Sequence, residues 1–252
     1  MNDLQLLIDL HKRANRQGPG GDTETRKAME LAMPGASGPL KIADIGCGTG
    51  ASAMLLAREL NAQVTAVDFL PEFIDVLKTR AESEGLINKI NPIVGSMDDL
   101  PFDDEEYDVI WSEGAIYNMG FKKGVGDWRR YLKTGGLLVV SEITWTTSER
   151  HFELQNYWES EYPEIGTASS KISILENSGY SPVAYFTLPE HCWIKNYYQP
   201  IQNSFSEFLA RNANSEDAKY LVEAEKKEIS LYEKYKNYFS YGVYIAKRHP
   251  DM

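Results

Sequence analysis

The chain is short of cysteine, of positive charge and of long apolar runs, and each shortage excludes something. Cys47 and Cys192 are its two cysteines in 252 residues. Two thiols, one of them inside a glycine-rich loop, make no disulfide framework, so a reducing compartment is expected. Lysine and arginine number 26 against 37 aspartates and glutamates, a formal net charge of -11. A surface that tracks phosphates needs the opposite sign, so nucleic acid is not an expected partner. The basic pairs Arg129-Arg130 and Lys226-Lys227 are flanked by acidic or apolar residues. No stretch approaches the roughly 20 consecutive apolar residues of a membrane span. The start, MNDLQLLIDLHKRANRQ, lacks the basic-then-apolar pattern and the cleavage site of a secretion signal. The expectation is a soluble cytoplasmic protein with no membrane partner.

What is present is an alternation of strand and helix patterns. Residues 2–12 read as a short amphipathic helix, the run Gln17-Gly18-Pro19-Gly20-Gly21 breaks the chain, and residues 23–33 read as a second helix. From residue 40 the order is βαβαβ. Residues 40–45 are an apolar run that suits a buried parallel strand, and 63–68, 91–95, 107–112 and 137–142 read as further strands. Pro71 suits the first turn of a helix that carries Phe73, Ile74, Leu77 and Ala81 on one face, and Gly85 stops it. Beyond residue 150, helical patterns cover 150–178 and 202–236, and strands are expected at 181–188 and 238–247. The fold class is α/β: a doubly wound, Rossmann-like sheet of seven strands, mostly parallel with an antiparallel last strand, with helices on both faces. One domain over 1–252 is expected, with a helical N-terminal lid at 1–38, a cofactor-binding core at 39–145, and a cap with the last two strands at 146–252. The 202–236 helix could pair with a second copy in a homodimer or cap its own pocket.

The chemistry-bearing stretch is Ala43-Asp44-Ile45-Gly46-Cys47-Gly48-Thr49-Gly50, at the carboxyl end of the first strand. In open α/β sheets ligands bind there, at the switch in strand order. Three ligands compete for such a loop. A nucleoside triphosphate requires a lysine after the glycines, and none follows. A dinucleotide accepts Gly46-x-Gly48-x-x-Ala51, with Asp68 at the end of the second strand for ribose hydroxyls. A sulfonium nucleoside explains Asp44 as well, because its amino-acid end carries an ammonium that a nearby carboxylate favours.

The segment Asp44-Ile45-Gly46-Cys47-Gly48-Thr49-Gly50 resembles the first motif of class I S-adenosylmethionine (SAM)-dependent methyltransferases. Val67-Asp68-Phe69 resembles the second, Gly95-Ser96-Met97-Asp98-Asp99-Leu100-Pro101-Phe102 the third, Tyr107-Asp108-Val109-Ile110-Trp111-Ser112-Glu113-Gly114 the fourth, and Leu132-Lys133-Thr134-Gly135-Gly136-Leu137-Leu138 the turn into strand five. The ordered motifs span about residues 40–142. Within that family the chain loosely resembles the subgroup that includes menaquinone and ubiquinone biosynthesis enzymes and sterol or amine methylases. It implies SAM as cofactor, S-adenosylhomocysteine (SAH) as product, no metal, and methyl transfer to the O, N or C centre of a small molecule. It implies a cofactor site of Asp44, Gly46, Cys47, Gly48, Gly50, Asp68, Phe69, Ser96, Met97, Asp98 and Glu113, with Arg16 on the cofactor carboxylate. Asp44 would meet the ammonium, Asp68 the ribose, and Asp98 the adenine amino group, with Met97 on the ring. Cys47 reads as a small packing residue. An NAD-dependent oxidoreductase and a SAM-binding regulator without turnover are the alternatives.

The acceptor side is open to aromatic residues: Tyr117, Trp145, Trp158 and Trp193 are the expected pocket. Candidates for a catalytic base are Glu113, His151 and His191, with Tyr117 as an orienting group. His11 and His249 are expected at the surface, and residues 13–21 are a candidate lid over the cofactor.

Overall fold

The computed structural model describes residues 3–35 and 38–250. Met1, Asn2, Ala36, Ser37, Asp251 and Met252, which fall in the expected lid and cap segments, lie outside the described residues. The strands are β1 (Leu40–Ile45), β2 (Ala62–Asp68), β3 (Ile90–Val94), β4 (Tyr107–Ser112), β5 (Leu132–Trp145), β6 (Gly166–Thr167), β7 (Tyr180–Thr187) and β8 (Phe239–Arg248). They form one sheet in the order β3-β2-β1-β4-β5-β8-β7, with the two-residue β6 pairing β5 off that path. Pairing is parallel from β3 to β5, and β8 runs antiparallel to both β5 and β7. This is the expected seven-stranded Rossmann-like sheet with an antiparallel last strand. The strand order reverses between β1 and β4, which opens a crevice at their carboxyl ends.

Local sequence accounts for the elements that frame this crevice. The last four residues of β1 are all buried, as expected for a parallel strand covered on both faces. Helix α3 (Ala51–Glu59) starts directly from Gly50, and helix α4 (Pro71–Ser83) places Pro71 in its first turn and buries Phe73, Ile74, Leu77 and Ala81. The N-terminal helices α1 (Asp3–His11) and α2 (Asp22–Ala32) are held to the far end of the chain. Asp9 on α1 accepts hydrogen bonds from Arg211 at 3.2 Å and Asn212 at 3.1 Å, and α2 packs on α3 and β8. No helix among the described residues is long and apolar enough to cross a membrane.

Two expected helices are each broken in two. The 202–236 pattern divides into α9 and α10, that is Gln199–Arg211 and Glu216–Tyr235, after α5 (Phe121–Trp128), α6 (Phe152–Glu161), α7 (Ala168–Asn177) and the short α8 (Glu190–Trp193). Between α9 and α10 the chain passes through left-handed backbone at Ala213 and Asn214, and Ser215 caps α10 by accepting the Ala218 N–H. The 150–178 pattern breaks between α6 and α7, where β6 forms and Thr167 caps α7. Cap chemistry at Thr167 and Ser215 overrides the continuous helical periodicity.

One buried ion pair ties α7 to the sheet. Lys171 is 1% exposed and Glu142 of β5 is fully buried; Lys171 Nζ donates to Glu142 Oε1 at 3.0 Å and lies 4.6 Å from the centre of the Phe121 ring. Burial raises the Glu142 carboxyl, and the Lys171 charge opposes that rise. Removing one member leaves a buried charge without its partner. Lys171→Met is expected to cost about 3–5 kcal/mol in urea unfolding, and adding Glu142→Leu should recover most of that loss. Equal stability of Lys171→Met and the native chain would show that the pair carries no such coupling.

Candidate functional site

A cavity of about 570 Å³ lies over the carboxyl ends of β1, β2, β3 and β4. Its floor is the glycine loop. Gly46, Gly48 and Gly50 have φ of +72°, +56° and +89°, the left-handed region that favours glycine. A Cβ at Gly48 would collide with the side-chain oxygen of Gln17, and one at Gly46 with Ala115. The loop is pinned from both sides. The Gly46 and Cys47 N–H groups donate to Val67 O at 2.8 and 3.0 Å, and the Gly48 N–H donates to Asp68 Oδ2 at 2.8 Å. From above, Gln17 Oε1 accepts the Thr49 N–H at 2.9 Å while Gln17 Nε2 donates to Thr49 Oγ1 at 3.0 Å.

The three strand-end carboxylates sit in different surroundings. Asp68 lines the cavity, its other oxygen accepting the Leu70 N–H at 2.9 Å; burial raises its carboxyl against these backbone bonds. Asp44 is fully buried beneath the loop and is not part of the cavity wall. Its Oδ2 accepts the Ser52 hydroxyl at 2.7 Å, and its Oδ1 is buried with no hydrogen-bond partner. Ser52 stands in the wall, so Asp44 is reached through it. Asp98 also lines the cavity, but is solvent-exposed and paired with Lys123 at 2.8 Å. Next to them Phe69, 67% exposed, presents an aromatic face, and Ser96 and Met97 complete the wall at the end of β3.

Glu113 and Arg16 satisfy each other. Glu113 Oε2 accepts Arg16 Nη1 at 2.8 Å; Glu113 Oε1 accepts the Thr25 hydroxyl at 2.7 Å and the Trp111 indole N–H at 3.0 Å. Arg16 also donates to Asp22 at 3.1 Å. Both residues lie in the cavity wall, and their mutual pairing, rather than a free charge, is what they bring to it. At the opposite end the wall is built by Leu4, Leu7 and His11 of α1, by Tyr117 and Asn118 after β4, by Tyr197, and by Glu225 of α10.

Residues 42–136 match the family model described as methyltransferase domain. A ubiquinone/menaquinone biosynthesis C-methyltransferase UbiE from Geobacter sp. (strain M21) is 29% identical over 159 residues, 62% of this chain and 66% of that protein. A demethylmenaquinone methyltransferase from Bacteroides fragilis is 33% identical over 162 residues, 62% of each chain. The chain thus spans a little under two thirds of the length of these relatives. A SAM-dependent methyltransferase from Geobacter sulfurreducens, solved in complex with SAH, superposes with a TM-score of 0.85 at 17% identity, over 97% of this chain and 98% of its own. Residues 42–136 are therefore a methyltransferase domain.

The methyltransferase core brings Asp68, Phe69, Ser96, Met97, Asp98, Gly46, Cys47 and Gly48 to one cavity, together with Glu113, Arg16 and Tyr117. Gly50 lies behind the wall, against Leu77. Cys47 is buried, and burial pushes its thiol well up. The three tryptophans are a correction. Trp145 and Trp158 stack edge-on against Phe239 of β8, and Trp193 lies flat on Tyr232 at 4.5 Å with its indole N–H on Ser240; none reaches the cavity wall. They fill the core under the cap because Phe239 offers them a common apolar face. Neither histidine expected as a base reaches the wall. His151 bonds to the Tyr235 hydroxyl at 2.9 Å, and His191, 49% exposed, faces Glu24 at 3.2 Å. His191, Glu24 and Cys192 have donor atoms within 4.8 Å of one another, apart from the cavity. His11, expected at the surface, is 6% exposed and in the wall. Its signal is the helical spacing of Leu4, Leu7 and His11, which puts all three on one side of α1.

The Asp44 carboxyl is pushed up to about 7, first by burial, with the Ser52 bond pulling down and the Glu113 charge adding to the rise. The fold therefore favours its neutral form. That contribution is fully present below about pH 4, where the unfolded carboxyl is also protonated, and is lost as pH rises through about 7. In ligand-free protein, Asp44→Asn should gain stability relative to the native chain between pH 4 and 8, by a few kcal/mol in denaturant titrations. A difference that does not change with pH would refute the assigned burial cost.

Proposed function

We propose that this chain transfers a methyl group from SAM to a small-molecule acceptor, with cofactor and acceptor at opposite ends of the one cavity. The observation that carries this reading is Asp68: a carboxylate at the end of β2 that pins the glycine loop and still faces the cavity, beside the open ring of Phe69. In this reading Asp68 takes the ribose hydroxyls, Met97 packs on the adenine, and Asp98 accepts from the adenine amino group. Asp44, through Ser52, lies beneath the ammonium, whose charge would draw the buried carboxyl to its ionised form; its unpartnered Oδ1 suits a site completed by a cation. Bound there, SAM supplies an already activated methyl group on a sulfonium.

What the chain's own residues do is hold and exclude. Holding the acceptor in line with the methyl carbon can lower the barrier by roughly 7–11 kcal/mol, because it removes translational and rotational freedom before the reaction. The Glu113–Arg16–Thr25 cluster and the Gln17–Thr49 bridge lay residues 13–21 across the loop, which supports their role as a lid that keeps water out. The two free, buried thiols suit the cytoplasm. A dinucleotide fits less well, since Gln17 occupies the space above Gly48 that a pyrophosphate would approach.

Asp68→Ala should weaken SAM binding at least about tenfold in calorimetric titration, since charge-assisted hydrogen bonds are removed and the loop loses an anchor. Unchanged affinity would sink the ribose assignment. Release of SAH from SAM with a panel of acceptors separates turnover from binding alone. Hydrogen exchange tests the lid: protection across residues 13–21 should rise with SAH, and an identical pattern with and without it would remove the lid role.

A further inference from the structure

The acceptor end of the cavity is acidic in a way that the cofactor does not account for. Glu225 reaches the wall there and is nine-tenths buried. It sits on the buried stripe of α10 with Ala218, Val222, Ile229 and Tyr232, a position that helical periodicity reserves for apolar side chains. Its Oε1 lies 3.4 Å from His11 Nε2, and its Oε2 is buried with no hydrogen-bond partner. A carboxylate oxygen withdrawn from water without a donor is costly, and a site that keeps one is waiting for a donor.

A second carboxylate deepens the effect. Glu228, one turn further on the same side of α10, accepts the Tyr198 hydroxyl at 2.9 Å. Burial, and then the charge of Glu225, push its carboxyl up to about 7. His11 is the one ion-pair partner of either carboxylate among the described residues. Around Glu225 the wall is aromatic and aliphatic, with Tyr117, Tyr197, Leu4 and Leu7. The Tyr197 ring also stacks on His11, with 6.4 Å between centres and 21° between planes.

An acid in the wall with aryl faces beside it stabilises a desolvated cation, through a charge-assisted contact and ring quadrupoles together. A carboxylate, phosphate or phenolate brought to the same place would meet Glu225 at short range, and among the described residues no lysine or arginine is paired to Glu225 to offset the repulsion, Arg16 of the wall being held by Glu113. We propose that this end of the cavity selects an acceptor that carries a positive charge, a protonated or quaternary amine, apart from the nucleophilic atom that takes the methyl group, with Glu225 as its counter-ion and Tyr117 and Tyr197 as its ring faces. The inference rests on the methyltransferase reading only in calling this ligand the acceptor.

The test compares choline with 3,3-dimethylbutan-1-ol, its uncharged carbon isostere, by calorimetric titration of the full chain with and without saturating SAH. Choline should bind at least about tenfold more tightly than the isostere. Glu225→Gln should remove most of that preference, with SAH titration in the variant reporting an intact cofactor end. Equal affinity for both probes, binding of the neutral probe alone, or no binding of choline overturns the proposal. So does a preference that survives intact in Glu225→Gln. Failure of SAH to bind the native chain would count against the methyltransferase reading instead, and the probe comparison without SAH still decides the charge preference.

Discussion

One carboxylate joins the two halves of the site. Glu113 stands just past the end of β4 and gathers the Trp111 indole, the Thr25 hydroxyl and the Arg16 guanidinium. These three donors come from the sheet, from α2 and from the segment between α1 and α2. The bond to Arg16 draws that segment across the glycine loop, where Gln17 grips Thr49 and fills the space above Gly48. Without this gathering point the sheet would still form, because its parallel strands bury one another, but the cavity would lose the wall that α1 contributes. A motif residue that looks like a cofactor ligand thus acts as the joint between floor and roof.

The interior carries several acids, and each is stabilised by a different device. Glu142 has a lysine partner inside the core. Asp44 has one hydroxyl donor and is held largely neutral by burial up to about 7. Glu225 has a histidine on one oxygen and nothing on the other. The order matters for function. Glu142, with a full lysine charge on Oε1, holds the fold, whereas Asp44 and Glu225 have no lysine or arginine paired to them among the described residues and stand where a cation could approach. Glu225 stands in the cavity wall, and Asp44 lies beneath it, behind Ser52.

Legibility in the sequence follows the range of the interactions. The loop at residues 46–50, Asp68 one strand along, and Met97 with Asp98 after β3 were readable because each sits at a strand end whose pattern is local. The breaks at 212–215 and 162–167 were not, because Ser215 and Thr167 act as caps only once the neighbouring turns have formed. Trp145, Trp158 and Trp193 were expected in the pocket on their density alone; Phe239, far along the chain, draws them into the core. His11 was expected at the surface since a short amphipathic helix exposes its polar side, yet here that side is closed over by α10 and Tyr197. Glu225 had a visible signal, an acid on the apolar stripe of α10.

By itself the sequence determined the alternating α/β architecture, the antiparallel last strand, and the loop with its strand-end carboxylates. These depend on periodicity, on glycine's access to left-handed backbone, and on residues close together in the chain. Only the tertiary structure decided where the acidic, aromatic end of the cavity lies. That end is assembled from α1, the turn after β4, the segment holding Tyr197, and α10, which meet through packing alone. No local pattern specifies that His11 should face Glu225, because their contact exists only after the first and last helices have closed over the sheet.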